Sequence, residues 1–449
     1  MNYSAIFREY DIRGKYPDEL NKDTVHRLGL SIGTYYQGEG VEKVSLGRDC
    51  RLSSPELRDA LINGLIESGR DVVDIGIVPT PLLYYSIFHL EMNGGVQITG
   101  SHNPPEYNGF KICLGKTTIH GEEIQKIREI FESGQFEKGK GSLEEVEIIS
   151  HYLDYMKKNI LPGDIKRKVV VDAGNGVGGL VAPECYANMG VEVERLFCEP
   201  DGRFPNHHPD PTIPENLTHL NKMISEKSAD LGIAFDGDAD RIGVVDKEGN
   251  IIWGDQLMII FSRDLLEQNP GAKIIGEVKC SQVLYDDIKE HGGIPIMWKA
   301  GHSLIKSKMK EEGAIFAGEM SGHLFFADRY FGYDDAIYAG ARLLEIITRN
   351  ERSVRDLLSG IPQMVNTPEI RMDCPEEKKF QVVETLVGEF KKDFDVIDVD
   401  GARVLFDGGW GLVRASNTQP VLVLRFEARD EARLEEIRAI FMERLNRVL

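Results

Sequence analysis

A serine and a histidine that could do chemistry lie together in the segment Thr99–Pro105 (TGSHNPP), directly after a short run that we predict to be a strand. Gly100 permits a tight turn there, and the double proline prevents a strand or helix from continuing. A hydroxyl held at the end of a strand beside His102 can act as a nucleophile or a phosphate carrier, and Ser101 is the candidate. Ser-His-Asn is also common turn chemistry, so the segment alone leaves both interpretations open.

Three aspartates follow another predicted strand, Leu231–Phe235, at the alternate positions Asp236, Asp238 and Asp240. Carboxylates in this pattern can converge on one hard divalent cation and leave coordination positions open for phosphate oxygens. A solvated acidic turn is the alternative, but three acids this close repel one another without an ion. We therefore predict a metal site at these aspartates, followed directly by Arg241.

The loop Gly318–His323 (GEMSGH) carries polar side chains at alternate positions. Glu319, Ser321 and His323 offer an acceptor, a hydroxyl and an imidazole, a set that suits the recognition of adjacent sugar hydroxyls. A capping turn would not need all three polar side chains. The loop therefore predicts a sugar-binding site.

Further polar loops follow strands in the second half of the chain. Lys279 and the loop 299–302 (KAGH) each follow a predicted strand, so with the sugar-binding loop they are expected at one edge of a parallel sheet, where α/β proteins bind ligands. The segment 414–420 (RASNTQP) combines a guanidinium, two hydroxyls, an amide and backbone N–H groups. That set predicts a phosphate cradle that needs no metal.

Composition limits the partners. The formal net charge of −20 over 449 residues argues against nucleic acid or an anionic membrane surface. An anionic ligand must therefore be bound by a local basic patch on an acidic body. The hydrophobic fraction of 41% supports several cores and more than one domain.

The lack of a recognisable targeting signal and the cysteine usage predict a cytoplasmic protein. The first residues lack the basic-then-apolar order of a signal peptide, and no apolar run is long enough to span a bilayer. The six cysteines lack C-x-x-C spacing. They predict reduced thiols rather than a disulfide framework or a zinc site.

The order of predicted elements indicates three alternating α/β units and a final α+β unit with antiparallel strands. We predict domains at 1–147, 148–250, 251–364 and 365–449. In the second domain, residues 174–179 match G-x-G-x-x-G after a strand, a pattern typical of dinucleotide sites. Because a lone match is weak and no second nucleotide-binding half follows, we interpret these glycines as a close strand–helix turn near an inter-domain surface.

Three local features are also expected. Ser54 should cap the helix that begins at Ser54-Pro55. Arg48 should pair with an acid in its loop. The C-terminal domain should be attached by few contacts and swing on a hinge near Val365.

Taken in chain order, the serine segment, the aspartate loop, the GEMSGH loop and the RASNTQP segment resemble those of the α-D-phosphohexomutase family, over essentially the whole chain. The resemblance is nearest to the bacterial and archaeal phosphomannomutase/phosphoglucomutase branch. It implies three related mixed α/β domains and a C-terminal α+β domain around a central active-site cleft. It also implies reversible transfer of a phosphoryl group between the 1- and 6-positions of a hexose, through phosphorylated Ser101 and a hexose 1,6-bisphosphate. Mg²⁺ and glucose or mannose 1,6-bisphosphate would be the cofactors.

The resemblance also implies roles for individual residues. The metal ligands would be Ser101, Asp236, Asp238 and Asp240. The catalytic residues would be Ser101, His102, Lys111, Arg241 and His323. The substrate would be bound by Tyr10, Arg13, Lys279, Lys299, His302, Glu319, Ser321, His323, Arg414, Ser416, Asn417 and Thr418. The sequence does not decide whether His323 or Lys111 moves the proton of the sugar hydroxyl.

The specificity argument rests on the sugar-binding loop. Glu319 and Ser321 would bind O3 and O4, which glucose and mannose share, so the pair fits dual specificity. Phosphoglucosamine mutase, which differs at the position of Met320, is the alternative. Ala300 departs from the Lys-Thr-Gly-His of the dual enzymes and removes one hydroxyl. Alternatives of another class are a Mg-dependent sugar phosphatase and a non-catalytic phosphosugar-binding protein, and we expect a monomer or a small homo-oligomer.

Overall fold

A computed structural model describes residues 3–417 and 419–449. The chain forms two compact units. The first unit runs to Leu257 and takes in Ser321–Leu357, and the second holds Met258–Met320 and Leu358–Leu449. Among the described residues, no helix is both long and apolar enough to cross a membrane.

The first unit begins with a mixed α/β domain. Its strands are β1 (Ile12–Lys15), β2 (Lys43–Arg48), β3 (Asp71–Ile77), β4 (Gly94–Ile98), β5 (Tyr107–Leu114), β6 (Thr117–Thr118) and β7 (Leu143–Glu145), and its helices are α1 (Lys22–Gly38), α2 (Ser54–Glu67), α3 (Thr80–His89) and α4 (Glu122–Ser133). The sheet order is β1-β5-β4-β2-β3-β7, with β6 paired to β5. Strands β4, β2, β3 and β7 run parallel, and β5 is antiparallel to β4 and β1. This register brings Lys111 of β5 opposite Gln97 of β4, near the strand end that leads to Ser101.

A second mixed sheet follows in the same unit. Its elements are α5 (Ile149–Asn159), β8 (Lys168–Asp172), α6 (Ala182–Ala187), β9 (Glu192–Leu196), α7 (Thr218–Lys227), β10 (Leu231–Phe235), β11 (Ile242–Asp246) and β12 (Ile251–Ile252). The strand order is β12-β11-β10-β8-β9, and β10, β8 and β9 run parallel. Strand β10 is buried at all five residues and ends at the aspartate loop.

The elements after Trp253 are divided between the two units. They are α8 (Gly254–Gln268), β13 (Lys273–Glu277), α9 (Gln282–Glu290), β14 (Ile294–Trp298), α10 (His302–Glu312), β15 (Phe316–Gly318), β16 (Leu324–Phe326) and α11 (Ala336–Arg349). In the second unit, β13 lies between β14 and β15 and is parallel to both. In the first unit, α11 is almost wholly buried and the Tyr186 hydroxyl of α6 donates to its Ile337 carbonyl.

The second unit ends in an antiparallel sheet that carries two helices. The elements are β17 (Val365–Asn366), β18 (Ile370–Asp373), α12 (Lys379–Phe390), β19 (Asp395–Ile397), β20 (Ala402–Phe406), β21 (Gly409–Ala415), β22 (Val421–Ala428) and α13 (Glu431–Val448). All pairings in this sheet are antiparallel. Mixed sheets in the earlier domains and an antiparallel sheet at the end confirm the predicted fold class.

The C-terminal sheet contacts the earlier part of the second unit through a buried arginine, contrary to the expectation of few contacts. Arg403 donates to the carbonyls of Val278 and Cys280 at 2.6 and 2.7 Å, and it lies 3.8 Å from the Trp410 ring. The Trp410 indole in turn donates to Glu427 at 2.7 Å. Because residues 258–320 and 358–449 form one compact unit, the expectation of few contacts is wrong, while the hinge near Val365 stays a prediction.

The other two local expectations are also wrong. Helix α2 begins at Ser54, so Ser53 is the cap position, and Ser53 makes no capping bond with its side chain. The Ser54 hydroxyl instead donates to Asp49 at 2.6 Å. Within the described part of the chain Arg48 forms no ion pair, because Asp49 is paired with Arg51.

Candidate active site

Ser101 lies in a tight turn directly after β4. Its φ of 47° is in the left-handed region, which costs a non-glycine residue on the order of 1–3 kcal/mol. The Ser101 N–H donates to the Thr99 hydroxyl at 2.8 Å, which helps to hold this turn. The turn aims the side chain inward: Ser101 Oγ donates to Asp236 Oδ2 at 2.7 Å and lies 3.0 Å from Nδ1 of His102.

The aspartate loop that receives this hydroxyl is fully buried. The three carboxylates of Asp236, Asp238 and Asp240 each present an oxygen within 4.8 Å of the others. Backbone N–H groups of Asp240 and Arg241 donate to Asp236 Oδ1 at 3.1 and 3.2 Å. Gly237 allows the approach of the serine turn, because a Cβ there would lie 2.4 Å from the Ser101 carbonyl oxygen.

Burial and mutual repulsion set the charge of the loop. Burial, followed by the charges of Asp240 and Asp238, raises the pKa of Asp236 well above its usual value. Burial also acts to raise the pKa of Asp240, but Lys111 together with the neighbouring basic groups of His323 and Arg241 outweighs it, and the net shift is downward. A second positive charge in this loop would therefore be strongly stabilised.

The free oxygens of the loop fit a metal ion. Asp238 Oδ1 and Asp240 Oδ1 are buried and accept no hydrogen bond from any described residue. Buried acceptors without donors are costly in a folded protein. Carboxylate oxygens are the ligands that Mg²⁺ prefers, so the residues present fit this cation.

Lys111 is the cation that the chain itself provides. Its Nζ donates to Asp238 Oδ2 at 2.7 Å and to Asp240 Oδ2. Burial acts to lower the pKa of Lys111, but the carboxylates of Asp238 and Asp240 more than offset it and raise the pKa. Lys111 is therefore held as an ammonium ion beside the serine turn.

His323 lies against the same loop. Arg241 Nε donates to His323 Nε2 at 3.0 Å, and His323 Nδ1 lies 3.1 Å from Asp334 Oδ2 and 3.6 Å from Asp240 Oδ1. Because Nε2 accepts the Arg241 N–H, the ring proton is on Nδ1, which faces Asp334.

The N-terminal segment borders the serine turn. Arg13 of β1 donates to Asn103 Oδ1 at 2.8 Å and also pairs with Asp11. Tyr10 lies half-buried just before β1. The pKa of His102 is well below its usual value, because of burial and then the positive charges of Arg241 and Arg13, so its ring is neutral.

The second unit gathers a different set of predicted residues. We call it the glutamate–arginine group, and it consists of Glu277, Lys279, Glu319, Asp400 and Arg414. Glu319 accepts the N–H of Gly301 at 2.6 Å, and Arg414 donates to Asp400 at 2.8 Å. Asp400 also accepts the Ala300 N–H at 3.1 Å, which ties the loop 299–302 to the arginine.

Glu277 stands at the centre of the glutamate–arginine group. It ends β13 and accepts the N–H of Met320 at 3.0 Å, and Lys279 lies 3.5 Å from it. Burial raises the pKa of Glu277 to about 7. Its Oε2 is buried and accepts no hydrogen bond from a described residue.

The remaining predicted substrate-binding residues are given by their place in the fold. Lys299 is exposed, His302 begins α10, Ser321 lies in the first unit, and Asn417 is half-buried. The Ser416 hydroxyl accepts the Gln419 N–H at 3.2 Å. Thr418 lies outside the described residues.

Sequence reasoning missed four residues that complete these sites. They are Thr80, Glu277, Asp334 and Asp400. The Thr80 hydroxyl, for example, donates to Asp238 Oδ2 at 2.5 Å across 158 positions of the chain. Asp334 lies two residues before α11 and belongs to none of the motifs that the sequence presents.

The glycine-rich segment 174–179 has a structural explanation within its own domain. It leads into a short 3₁₀ helix at Val177–Leu180 instead of a long helix. A Cβ at Gly176 would lie 2.6 Å from the Gly237 carbonyl, and one at Gly178 would lie 3.1 Å from Ala239 Cβ. The glycines thus allow β8 and the aspartate loop to approach closely.

A serine hydroxyl directed at a carboxylate, a fixed ammonium and a set of metal-ligating oxygens are the parts of a metal-assisted phosphoryl-transfer enzyme. Comparison with known proteins gives the family. Consecutive regions match Phosphoglucomutase/phosphomannomutase alpha/beta/alpha domain I (residues 4–138), domain II (150–249), domain III (253–365) and the C-terminal domain (369–444). This chain belongs to the phosphoglucomutase/phosphomannomutase family.

Individual relatives are similar over nearly the full length. The chain is 49% identical over 446 residues to the phosphomannomutase/phosphoglucomutase of Pseudomonas aeruginosa, which covers 99% of this chain and 96% of that protein. It is 48% identical over 445 residues to the phosphoglucomutase of Neisseria gonorrhoeae, covering 97% of this chain and 95% of that protein. A crystal structure of a phosphoglucomutase/phosphomannomutase family protein from Burkholderia thailandensis superposes with a TM-score of 0.94 at 42% identity, covering 99% and 97% of the two chains.

The metal site leads to a direct prediction. Asp238→Asn removes one negative charge from the loop and should weaken Mg²⁺ binding by roughly 10–100-fold, with activity partly restored by excess Mg²⁺. Isothermal titration with Mg²⁺ measures the affinity. Asp246→Asn is the matched control, since Asp246 is equally buried but serves the turn after β11. Equal Mg²⁺ affinity in the two variants would contradict the assignment.

Proposed function

We propose that this protein interconverts hexose 1-phosphate and hexose 6-phosphate, with mannose or glucose or both as the sugar, through a phosphorylated Ser101 and a hexose 1,6-bisphosphate. The observation that carries the proposal is the Ser101 hydroxyl held 2.7 Å from Asp236 in a buried loop with unsatisfied carboxylate oxygens. A hydroxyl in this position can form and lose a phosphoester beside a bound cation.

Residues of the chain have separate roles in the phosphoryl transfer. The sugar hydroxyl attacks the phosphorus of phosphorylated Ser101, the new O–P bond forms, and the bond to Ser101 Oγ breaks. The serine oxygen leaves with the electron pair and regains a proton, becoming the hydroxyl that donates to Asp236 in this structure. To take the hydroxyl proton on Nε2, His323 has to release the hydrogen bond from Arg241 Nε, and its other ring proton stays on Nδ1 beside Asp334. Lys111 is held protonated because its pKa is raised, so it cannot take up the proton and serves as a fixed positive charge for the phosphoryl oxygens, together with Arg241. His102 orients the serine as a neutral ring.

Mg²⁺ would be held by Asp236, Asp238 and Asp240 with Ser101, and when bound it neutralises charge on the phosphoryl oxygens. The bisphosphate then has to reorient and return its other phosphate to Ser101. Glucose or mannose 1,6-bisphosphate would accordingly act as an activator, because it rephosphorylates a serine that has lost its group.

The sugar is assigned to the loop that carries Glu319 and Ser321, which would bind O3 and O4. Glu277 fixes the Met320 N–H and so supports this loop. The phosphate that is not reacting would be held by the loop that carries Arg414, Ser416, Asn417 and Thr418. The other proposed substrate contacts are Tyr10, Arg13, Lys279, Lys299 and His302.

Further proposals rest on the composition and on the order of the elements. Six free cysteines suit the reducing cytoplasm, and a net charge of −20 disfavours polyanionic partners. We propose a monomer or a small homo-oligomer, with domain boundaries at 147/148, 250/251 and 364/365.

A coupled assay tests the function and the sugar. With a trace of glucose 1,6-bisphosphate, we expect turnover of glucose 1-phosphate and mannose 1-phosphate to the 6-phosphates, and much slower turnover of glucosamine 1-phosphate. Ser101→Ala should lose nearly all turnover and still bind substrate, since only the phosphoester is removed. Preference for glucosamine 1-phosphate would indicate phosphoglucosamine mutase, and release of free phosphate would indicate a phosphatase. Full turnover by Ser101→Ala would contradict the proposal.

Arg414 provides a separate prediction for the phosphate cradle. Loss of a charge-assisted phosphate contact costs ~1.5–3 kcal/mol, so Arg414→Ala should raise KM roughly 10–150-fold for 1- and 6-phosphates alike. Phosphorylation of Ser101 by the bisphosphate should still be detectable by intact mass. Arg429→Ala is the control, because Arg429 lies in the same domain and its side chain is 60% exposed. An unchanged KM in Arg414→Ala would place the cradle elsewhere.

A further inference from the structure

One buried arginine of the first domain has no part in the mechanism above. Arg51 lies in the loop between β2 and α2 and is 1% exposed. Its Nε pairs with Asp49 Oδ2 at 3.1 Å, which neutralises its charge locally. Arg51 therefore adds little net positive charge toward a phosphate on Ser101.

The guanidinium of Arg51 is occupied by the backbone of the serine turn. Nη2 donates to the carbonyls of Ser101 at 2.8 Å and Asn103 at 2.6 Å. Nη1 donates to the carbonyls of Pro104 at 2.6 Å and Tyr107 at 2.9 Å. Four carbonyls of one turn thus converge on a single planar group, whose four Nη N–H donors match them while its Nε–H is bound by Asp49.

Neighbouring residues leave room for the Arg51 guanidinium and contact it. A Cβ at Gly100 would lie 2.5 Å from the Arg51 guanidinium. The position before Ser101 therefore needs a glycine to make room for Arg51, apart from the backbone freedom that glycine gives the turn. The Phe204 ring lies 5.2 Å from the guanidinium. Asp49 extends the contact, since it also accepts the Gly100 N–H at 3.1 Å.

These contacts add to single hydrogen bonds that also hold the turn, such as those from the Ser101 N–H to the Thr99 hydroxyl and from the Asn103 N–H to the Gly100 carbonyl. The double proline supplies no N–H donors, and Ser101 adopts a left-handed φ of 47° that a serine does not favour. A lysine at position 51 would bring a point charge with three donors, which cannot reach four carbonyls in a plane.

We propose that Arg51 is a positioning residue for the phosphoryl carrier: it fixes the backbone on both sides of Ser101 and so sets the place of Ser101 Oγ against Asp236. The activity part of this proposal rests on the proposed function, whereas the structural part does not. A misplacement of about 1 Å at a reacting group can cost on the order of 100-fold in rate.

The test compares Arg51→Lys and Arg51→Ala with the parent. We expect kcat to fall roughly 100-fold with KM nearly unchanged, because the substrate-binding residues are untouched. Hydrogen exchange of the backbone amides in residues 100–108 should become faster, and millimolar guanidinium should restore part of the activity of Arg51→Ala only. Arg70→Ala is the matched control: Arg70 is a buried arginine of the same domain that donates to the Val41 carbonyl, away from the serine turn. It should leave kcat and the exchange of residues 100–108 unchanged.

A second variant disturbs the same contact by changing the serine turn instead of Arg51. Gly100→Ala keeps Arg51 but pushes its guanidinium away, so it should also lower kcat and speed exchange of residues 100–108, even if the Arg51 variants do not fold. Parent values of kcat or of exchange in Gly100→Ala, or in a folded Arg51→Lys, would overturn the proposal. Absence of turnover in the parent would count against the proposed function instead, and the exchange comparison would still decide the role of Arg51.

Discussion

The structure of the first unit depends on a concentration of buried negative charge. Asp236, Asp238 and Asp240 are each fully buried within one loop, and such charges are tolerated only when they are paired or bound to a cation. Lys111 satisfies two of them, and the backbone of the loop satisfies part of the third. Two carboxylate oxygens are left over, so the loop can bind one further cation. The raised pKa of Lys111 follows from the same negative charge.

The topology explains how distant segments meet at that loop. Ser101 and the aspartates each follow a buried strand at its carboxyl end, β4 and β10, where α/β proteins place their ligands. Lys111 of β5 lies near the serine turn because β5 runs antiparallel to β4 and passes the end of β4 that leads to Ser101. The second unit repeats the principle with Glu277 and Glu319, which follow the parallel strands β13 and β15.

Sequence reasoning found the parts of the site that are encoded locally. The serine turn and the aspartate loop are short motifs whose residue types and spacing state their chemistry, and the alternation of elements was enough for the fold class. It missed residues whose role arises only from packing. Arg51 meets Ser101 across 50 positions and Thr80 meets Asp238 across 158, so no local pattern signals either contact. The assignment of Arg48 as the paired arginine failed for the same reason, since the choice between two neighbouring arginines is made by the carbonyls that one of them can reach.

The central claim is that one oxygen, Ser101 Oγ, carries the phosphoryl group. The most direct measurement is a chase of label: the protein is incubated with hexose 1,6-bisphosphate labelled in both phosphates, freed of excess, and mapped by peptide mass spectrometry before and after addition of unlabelled glucose 1-phosphate. The account predicts label on Ser101 as an acid-stable phosphoester, which then leaves the protein and appears in hexose bisphosphate and hexose 6-phosphate. Label on an aspartate as an acyl phosphate that hydroxylamine removes, or label that leaves Ser101 only as inorganic phosphate, would contradict it.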